Sequence, residues 1–488
     1  MEWYNRSLCH AEEASEPMGL AYANRSACFF HLKMYSKCLI DIELAKQNSY
    51  PRDKMAKLDE RKAKCLSVMK TEENQGAAFE PKLDFKPSEK FPCSANVLRI
   101  ENNDKYGRHV VANEDIDVGK IVMVDQNYFA DTIKRYTRCN ICFATNENFK
   151  PCQRCSFTLL CPKCEENSFH TIECDINPTY FGTLGIVGIR MVAVRSILLA
   201  MNAFADIDEL IAAVEEMIQN DVVEAPESLL GDSQSNYRAF FKLHPNPEHH
   251  TDDNLPNKIN FIYRLLMGQR DVTAFFRSDA HTRFLKHLIA HHLIVIKYSS
   301  QHFRYPTGVG ALGGQSEIDY EYRMSILASY FNSSCAPNAY IFSQSGYNVC
   351  VVVRTIRKNE QVCVAYDTSI LLKAKSKRQQ ILQNKFKFLC KCQRCQSSHL
   401  ESSSLKSNDA IISDRYFHNL RADIKCATDN FDSQSFEPLR AQCFNMLKKY
   451  DRVPLCLEIN CIMDDLNTLA VNEKTGLLKV SLMSHLAN

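Results

Sequence analysis

Cys139, Cys142, Cys152, Cys155, Cys161, Cys164, His170 and Cys174 fall within 36 consecutive residues, as four successive pairs of soft donors. Zinc takes four S or N ligands in a tetrahedron, and a C-x2-C turn presents two thiolates from one loop. Eight donors in four pairs therefore make two closed sites. With no ligand position left open to water, those sites are expected to be structural and not catalytic. A second knot, "CKCQRC" at 390–395, offers Cys390, Cys392 and Cys395 and lacks a fourth donor. Cys335, set between two asparagines in "YFNSSCAPNAY" (330–340), can supply it. A third zinc would then tie the 330–340 segment to a distant part of the chain, and the two regions would close over one cleft. Otherwise Cys335 is merely buried and the knot recruits another ligand. The other cysteines lie scattered in apolar sequence and read as small buried hydrophobes.

Helices and strands must position these donors. From Pro17 to Lys70 the pattern is helical: Leu20, Ala23, Ala27 and Phe30 share one face, Leu39, Ile42 and Ala45 another, and "NSYP" at 48–51 precedes a third amphipathic stretch. Small residues at helix contacts, in units of about 34 residues, suggest a tetratricopeptide hairpin. About one and a half repeats are too few to stand alone, so they must pack on something else. Residues 71–92, polar and proline-bearing, read as a linker. Strand-like "ANVLRI", "RHVVA" and "KIVMVD" follow, and the cysteine-rich run interrupts this β region. Residues 176–300 read as mostly helical. Strands return in "AYIFSQ", "YNVCVVVRTI" and "QVCVAY", with "SGYN" as a hairpin turn and Asn338 as a turn residue. His287 and His291 stand at i and i+4, a spacing that can bind metal on a helix, but no nearby carboxylate completes a site. They read as packed or surface histidines. The last stretch, about ninety residues, has helical spacing and no recognisable chemistry.

A chain of 488 residues has room for roughly two to four domains. Its 45% hydrophobic and 24% charged residues are ordinary for a soluble globular protein. A net charge of +2 excludes recruitment of nucleic acid or an anionic membrane by bulk field. "MEWYNRSLCH" does not read as a secretory signal, and the apolar region 181–205 is broken by Arg190 and Arg195. An intracellular chain is expected, with its cysteines reduced.

"KYGRHVVANEDIDVGKIVMVD", "NSSCAPN", "RKNEQVCVAYD" and "FKFLCKCQRC" stand in the order of SET domain motifs, with the four donor pairs inserted after the first in the order of a MYND zinc finger. The chain resembles the SET and MYND domain-containing protein lysine methyltransferases, and its N-terminal helices resemble the tetratricopeptide-bearing branch. The resemblance implies an α+β fold of small curved sheets, in which the asparagine-bearing segment threads under the loop carrying a tyrosine. It divides the chain into tetratricopeptide-like helices (1–70), a linker (71–93), an N-terminal SET part (94–138), a MYND finger (139–174), a helical insert (175–300), a SET core (301–370), a post-SET zinc knot (371–396) and a C-terminal helical region (397–488). It implies three zinc ions. The finger's ligands interleave, Cys139, Cys142, Cys161 and Cys164 on one zinc and Cys152, Cys155, His170 and Cys174 on the other.

The same resemblance implies transfer of a methyl group from S-adenosylmethionine to a lysine amine of a histone or other protein. Tyr366 would be catalytic, orienting amine and methyl. Tyr106, Gly107, Arg108, Ser299, Asn332, Ser333 and Phe388 would line the cofactor site, and Phe386 the lysine channel. Nuclear and cytoplasmic residence, a monomeric state, and proline-containing peptide or corepressor partners at the finger are implied too; neither nucleic acid nor membrane is expected as a partner. Four positions depart from the family pattern. Ser333 replaces a histidine, His109 a second glycine, Phe386 a tyrosine, and Ser299 stands where a cofactor-contacting asparagine is usual. The alternative these departures raise is a scaffold with a weak or inert SET core.

Overall fold

The structure, a computed structural model, describes residues 1–71, 81–132, 135–166, 169–174, 176, 189–219, 232–243, 254–309, 316–344, 346–397, 405–430 and 435–483. Four helices come first: α1 (Glu2–His10), α2 (Glu16–His31), α3 (Tyr35–Gln47) and α4 (Met55–Thr71). Ser15 starts α2 by accepting the Met18 N–H, with Pro17 in the first turn. The face of α2 expected at Leu20, Ala23, Ala27 and Phe30 is displaced: its buried stripe is Met18, Tyr22, Arg25, Ser26 and Phe29, and of the expected four only Ala23 is buried. Helix α2 is covered on two sides, by α1 and α3, and one of its deepest side chains is an arginine, which no apolar pattern reveals. Helix α3 buries Ile42 and Ala45 as expected.

The segment expected to be a linker is packed over its described part. Leu83, Phe85 and Phe91 lie against the main core, and the Asp84 carboxylate accepts the Ile121 N–H at 2.7 Å. Its prolines and charges look like a linker, but every second residue of "LDF" is apolar and fits a sheet edge. Residues 72–80 lie outside the described residues.

Small sheets then build the centre. Strand β1 (Leu98–Asn103) pairs antiparallel with β2 (Gly107–Ala112), and β3 (Ile121–Gln126) leads to β4 (Phe129–Thr132). The cysteine-rich run carries the two-residue strands β5 (Lys150–Pro151) and β6 (Leu159–Leu160), then α5 (Phe169–Glu173). A helical block follows: α6 (Ile189–Ala203), α7 (Ile207–Gln219), α8 (Ser233–Phe241), α9 (Leu255–Met267), α10 (Arg270–Phe275) and α11 (Asp279–Ser299). Strands β7 (Gln301–Val309) and β8 (Ser316–Met324) form an antiparallel hairpin that extends β4. This hairpin was not expected: "QHFRYPTGV" holds a proline and a glycine that argue against a strand, whereas in "SEIDYEYRM" Ile318, Tyr320, Tyr322 and Met324 alternate with charges, a period-two signal that went unread. After it come β9 (Asn332–Ser333), β10 (Ala339–Gln344), β11 (Tyr347–Val352) and β12 (Cys363–Val364); β10, β11 and β3 make one sheet in that order.

Helices α12 (Lys375–Phe386), α13 (Gln393–Gln396), α14 (Asp409–Ile412), α15 (Arg415–Asn430), α16 (Phe436–Lys449) and α17 (Leu457–Met483) complete the chain. Phe417, Leu420, Leu439, Ile462 and Leu466 share one apolar cluster with Tyr340, Val349, Cys335 and Cys390. The C-terminal helices thus pack in one cluster with the β10–β11 strands and the third cysteine group. No helix among the described residues is long and apolar enough to cross a membrane.

The helical block has a polar core of its own. His292 is fully buried, its Nδ1 2.8 Å from Ser196 Oγ and its Nε2 3.0 Å from the Tyr237 hydroxyl. Since Ser196 also reaches the Ala193 carbonyl (2.7 Å), the consistent pattern has Nδ1–H donating to Ser196 and Tyr237 donating to Nε2. Burial, with His291 nearby, holds the His292 pKa well below its ordinary value. The unfolded chain thus binds the extra proton first, so this stability is full above about pH 6.5 and is lost as pH falls below it, by up to about 1.4 kcal/mol per unit. His292→Phe should flatten that part of the difference in urea-unfolding free energy between pH 7 and 5.5. By contrast, His287 is exposed on α11, and His291 stacks on Phe241 at 4.0 Å and meets its carbonyl, as packed or surface histidines do.

Candidate active site and metal clusters

Three groups of donors come together: Cys139, Cys142, Cys161 and Cys164; Cys152, Cys155, His170 and Cys174; Cys335, Cys390, Cys392 and Cys395. Within each group the ligand atoms lie within 4.8 Å of one another. Sulfurs around a tetrahedral zinc with bonds of about 2.3 Å stand about 3.8 Å apart. The separations Cys142–Cys161 (3.6 Å), Cys152–Cys174 (3.6 Å), Cys335–Cys390 (3.8 Å) and Cys335–Cys395 (3.6 Å) match that geometry, so the donor sets fit the metal. All 22 cysteines are free thiols. Pairs interleave because the β5–β6 hairpin has Cys152 following one strand and Cys161 following the other. Helix α5 spaces His170 and Cys174 one turn apart.

Buried arginines tie these groups to the rest. Arg195 of α6 grips Glu173 through both carboxylate oxygens (2.7 and 2.8 Å) and donates to the Asn140 and Ala130 carbonyls, locking the second group to β4. Arg394 donates to the Cys335 carbonyl at 3.0 Å and the Leu371 carbonyl at 2.8 Å. Gly346 (φ +92°) lies at the β10–β11 turn, where any Cβ would stand 2.6 Å from the Cys142 carbonyl, so only glycine lets the sheet reach the first group.

The N-terminal helices dock on the same module. Arg25, wholly buried, pairs with Asp41 (2.6 and 2.8 Å) and donates to Asn5 Oδ1 and the Phe149 carbonyl (2.9 Å each). Asn5 donates to the Tyr136 carbonyl, and Asn148 to Asp41. Arg25→Met leaves Asp41 buried without its cation, a change that costs about 3–5 kcal/mol. Amide hydrogen exchange over residues 1–71 and 146–150 should rise sharply in that variant while β10 and β11 stay protected.

Strands β9 and β12 pair in parallel, Asn332 opposite Cys363 and Ser333 opposite Val364. Parallel pairing of segments thirty residues apart passes 332–338 beside 360–366. Asn338, expected as a turn residue, is a buried brace: it accepts the Cys363 N–H (2.8 Å) and donates to the Gln361 carbonyl (2.9 Å). Asparagine is common in turns for its local hydrogen bonds; here the same amide bonds a strand twenty-five residues away.

At the end of β12 the Tyr366 ring stands 5.1 Å from Phe386 and 6.2 Å from Phe388, so three residues from two segments form one aromatic cage. Burial, and then Cys363, push the Tyr366 hydroxyl well above its ordinary pKa, which keeps it protonated at neutral pH. Asn332 donates to the Tyr106 carbonyl at 3.0 Å, joining β9 to the β1–β2 turn. In that turn Gly107 has φ +61°, and a Cβ there would meet nothing within 4 Å: the backbone borders open space. Open backbone at Gly107, the Asn332 amide on the neighbouring carbonyl and the phenylalanines around Tyr366 are the kinds of group that suit a ligand with a polar amino-acid end and a flat ring, as S-adenosylmethionine has.

The other expected cofactor residues are engaged with protein. The Arg108 guanidinium bonds the Leu243 carbonyl (2.6 Å) and lies over Tyr330; the half-exposed Tyr106 ring meets Lys105 and His109. Ser333 Oγ accepts the Tyr366 N–H (3.3 Å), and the Ser299 carbonyl accepts from Ser329 (3.0 Å). Buried His109 contacts the Gly107 carbonyl (2.8 Å). Sequence reasoning missed Asp367 and Lys385, whose ion pair of 3.2 Å brackets the cage; their only signal was adjacency to Tyr366 and Phe386.

The SET domain family model matches residues 107–367, more than half of the chain. Protein-lysine N-methyltransferase SMYD4 of Homo sapiens is 24% identical over 523 aligned positions, covering 81% of this chain and 64% of the relative. The Danio rerio protein of the same name is 25% identical over 221 residues, 39% of this chain and 29% of the relative. Potential protein lysine methyltransferase SET6 of Saccharomyces cerevisiae is 29% identical over 164 residues, 33% and 41% respectively. The chain thus spans from under a third to just under two thirds of these relatives.

Proposed function

Given that this chain belongs to the SET domain family, we propose that it is an S-adenosylmethionine-dependent protein-lysine N-methyltransferase whose cysteine groups hold three structural zinc ions, two of them in a MYND finger. The observation that carries the reading is the aromatic cage of Tyr366, Phe386 and Phe388 at the parallel β9–β12 crossing, beside the open backbone of Gly107. S-adenosylmethionine, when bound, supplies a methyl group on a positively charged sulfur. A lysine amine, with a pKa of about 10.4 in water, must shed its proton to become a nucleophile, and a dry aromatic channel favours the neutral form. Tyr366 keeps its phenolic proton and presents a fixed oxygen that orients the amine. Ser333 holds the Tyr366 backbone, so the residue in place of the family's histidine steadies the catalytic strand. Asn332 and the 106–108 backbone would receive the amino-acid end of the cofactor, and Phe388 its ring.

The proposal extends to a protein substrate, histone or other, on the strength of the resemblance and of the relatives' names, and to proline-containing peptide or corepressor partners at the finger and nuclear and cytoplasmic residence on the strength of the resemblance alone. Its test is calorimetric titration of S-adenosylmethionine into the zinc-replete chain, followed by transfer of tritiated methyl to acid-extracted histones and cell proteins. Micromolar binding and labelled lysine are expected. No binding at millimolar cofactor would end the enzyme reading.

A further inference from the structure

We propose that Asp367 is the carboxylate on which a substrate's lysine ammonium docks before entering the aromatic cage, and that Lys385 is the chain's own competitor for it. This rests on the lysine methyltransferase reading above. Asp367 directly follows Tyr366 and Lys385 directly precedes Phe386, so the pair flanks the two facing rings. Asp367 Oδ1 accepts the Ser369 N–H (3.1 Å) and hydroxyl (2.6 Å), which fixes the carboxylate in place. Its Oδ2 is turned to Lys385 Nζ at 3.2 Å. The same ammonium lies 5.2 Å from the Phe386 ring centroid. Lys385 therefore already uses an anion and an aromatic face, the two kinds of group that attract an alkylammonium.

Exposure differs across the pair: the Lys385 side chain is 48% exposed and Asp367 22%. The flexible lysine can swing into water while the carboxylate stays at the wall. Replacing one ammonium by another leaves Asp367 compensated throughout, so a substrate lysine can enter without stranding a buried charge. The carboxylate favours the charged ammonium, so Asp367 serves docking only, and the proton is lost after the amine has left it for the dry cage.

Saturation-transfer NMR on the full zinc-replete chain tests this with Nα-acetyl-lysine N-methylamide and its norleucine counterpart as probes. Asp367→Asn should weaken the lysine probe about fivefold and Lys385→Gln should tighten it about two- to fivefold, with no norleucine response. Both substitutions break the same ion pair, so a merely structural pair would move affinity in one direction for both. Same-direction shifts, no shift, equal norleucine binding, or no lysine-probe binding by the wild type would each overturn the proposal. Coincident melting curves verify folding, and Lys385→Met replaces the Gln variant should that one unfold. Probe binding needs no methyl transfer: a wild type that binds the lysine probe but not S-adenosylmethionine sinks the enzyme reading alone, and the order of the variants still decides the docking.

Discussion

Tyr366→Phe is expected to lower kcat/KM for methyl transfer about 10²- to 10³-fold, the loss typical of removing one preorganised hydrogen-bonding group from a transition state. The ring contacts with Phe386 and Phe388 survive the change, and so does the backbone N–H bond to Ser333 Oγ, so the fold and melting temperature should hold. Affinity for S-adenosylmethionine should stay within about threefold, because the lost hydroxyl acts on the approach of the amine and not on the cofactor's amino-acid end. Single-turnover assays with saturating cofactor separate the two. An unchanged rate would remove Tyr366 from the chemistry, and a proportional loss of cofactor binding would make it a binding residue.

Cys335→Ser should reduce the zinc content measured by plasma mass spectrometry from three per chain to two. Cys335 is completely buried, in contact distance of Cys390 and Cys395, and its carbonyl is held by Arg394. Isolated zinc fingers draw roughly 10–16 kcal/mol from their metal, so losing even a quarter of that would exceed about 2.5 kcal/mol. The damage should reach the cage, because the cysteine knot begins two residues after Phe388 and Cys335 stands two residues after Ser333, the last β9 residue paired with β12. Activity should therefore fall together with the metal, unlike the Tyr366 variant, which keeps all three ions. A count of three zincs in Cys335→Ser would mean that the knot has another fourth ligand.

Much of this site was readable from residue types in order. Zinc chemistry restricts its ligands to a few side chains, and C-x2-C spacing is local, so the donors announced themselves without any fold. The grouping of Cys335 with a trio more than fifty residues on was proposed from motif order, and the sulfur distances agree with it; the segments of Asn332 and Tyr366, expected to meet, run side by side through the β9–β12 pairing. What escaped was set by contacts between distant segments. In the β7–β8 hairpin, Pro306 and Gly308 mask β7, while the alternating Ile318, Tyr320, Tyr322 and Met324 of β8 were a legible strand signal left unread. The 81–92 segment is polar in composition yet anchored by Leu83, Phe85 and Phe91. Asn338 looked like a turn and is a brace, and Arg25 sits where helical periodicity asks for an apolar side chain.

Composition and spacing alone thus determined which atoms can bind metal and, outside the β7–β8 hairpin, most of the helices and strands, because both depend on neighbours along the chain. Which face of α2 is buried, what Ser333 and His109 do in place of the family's residues, and that Lys385 stands against Asp367 were decided only by tertiary structure. Those outcomes hang on hydrogen bonds and charges meeting across tens of residues, and no local pattern encodes who the partner will be.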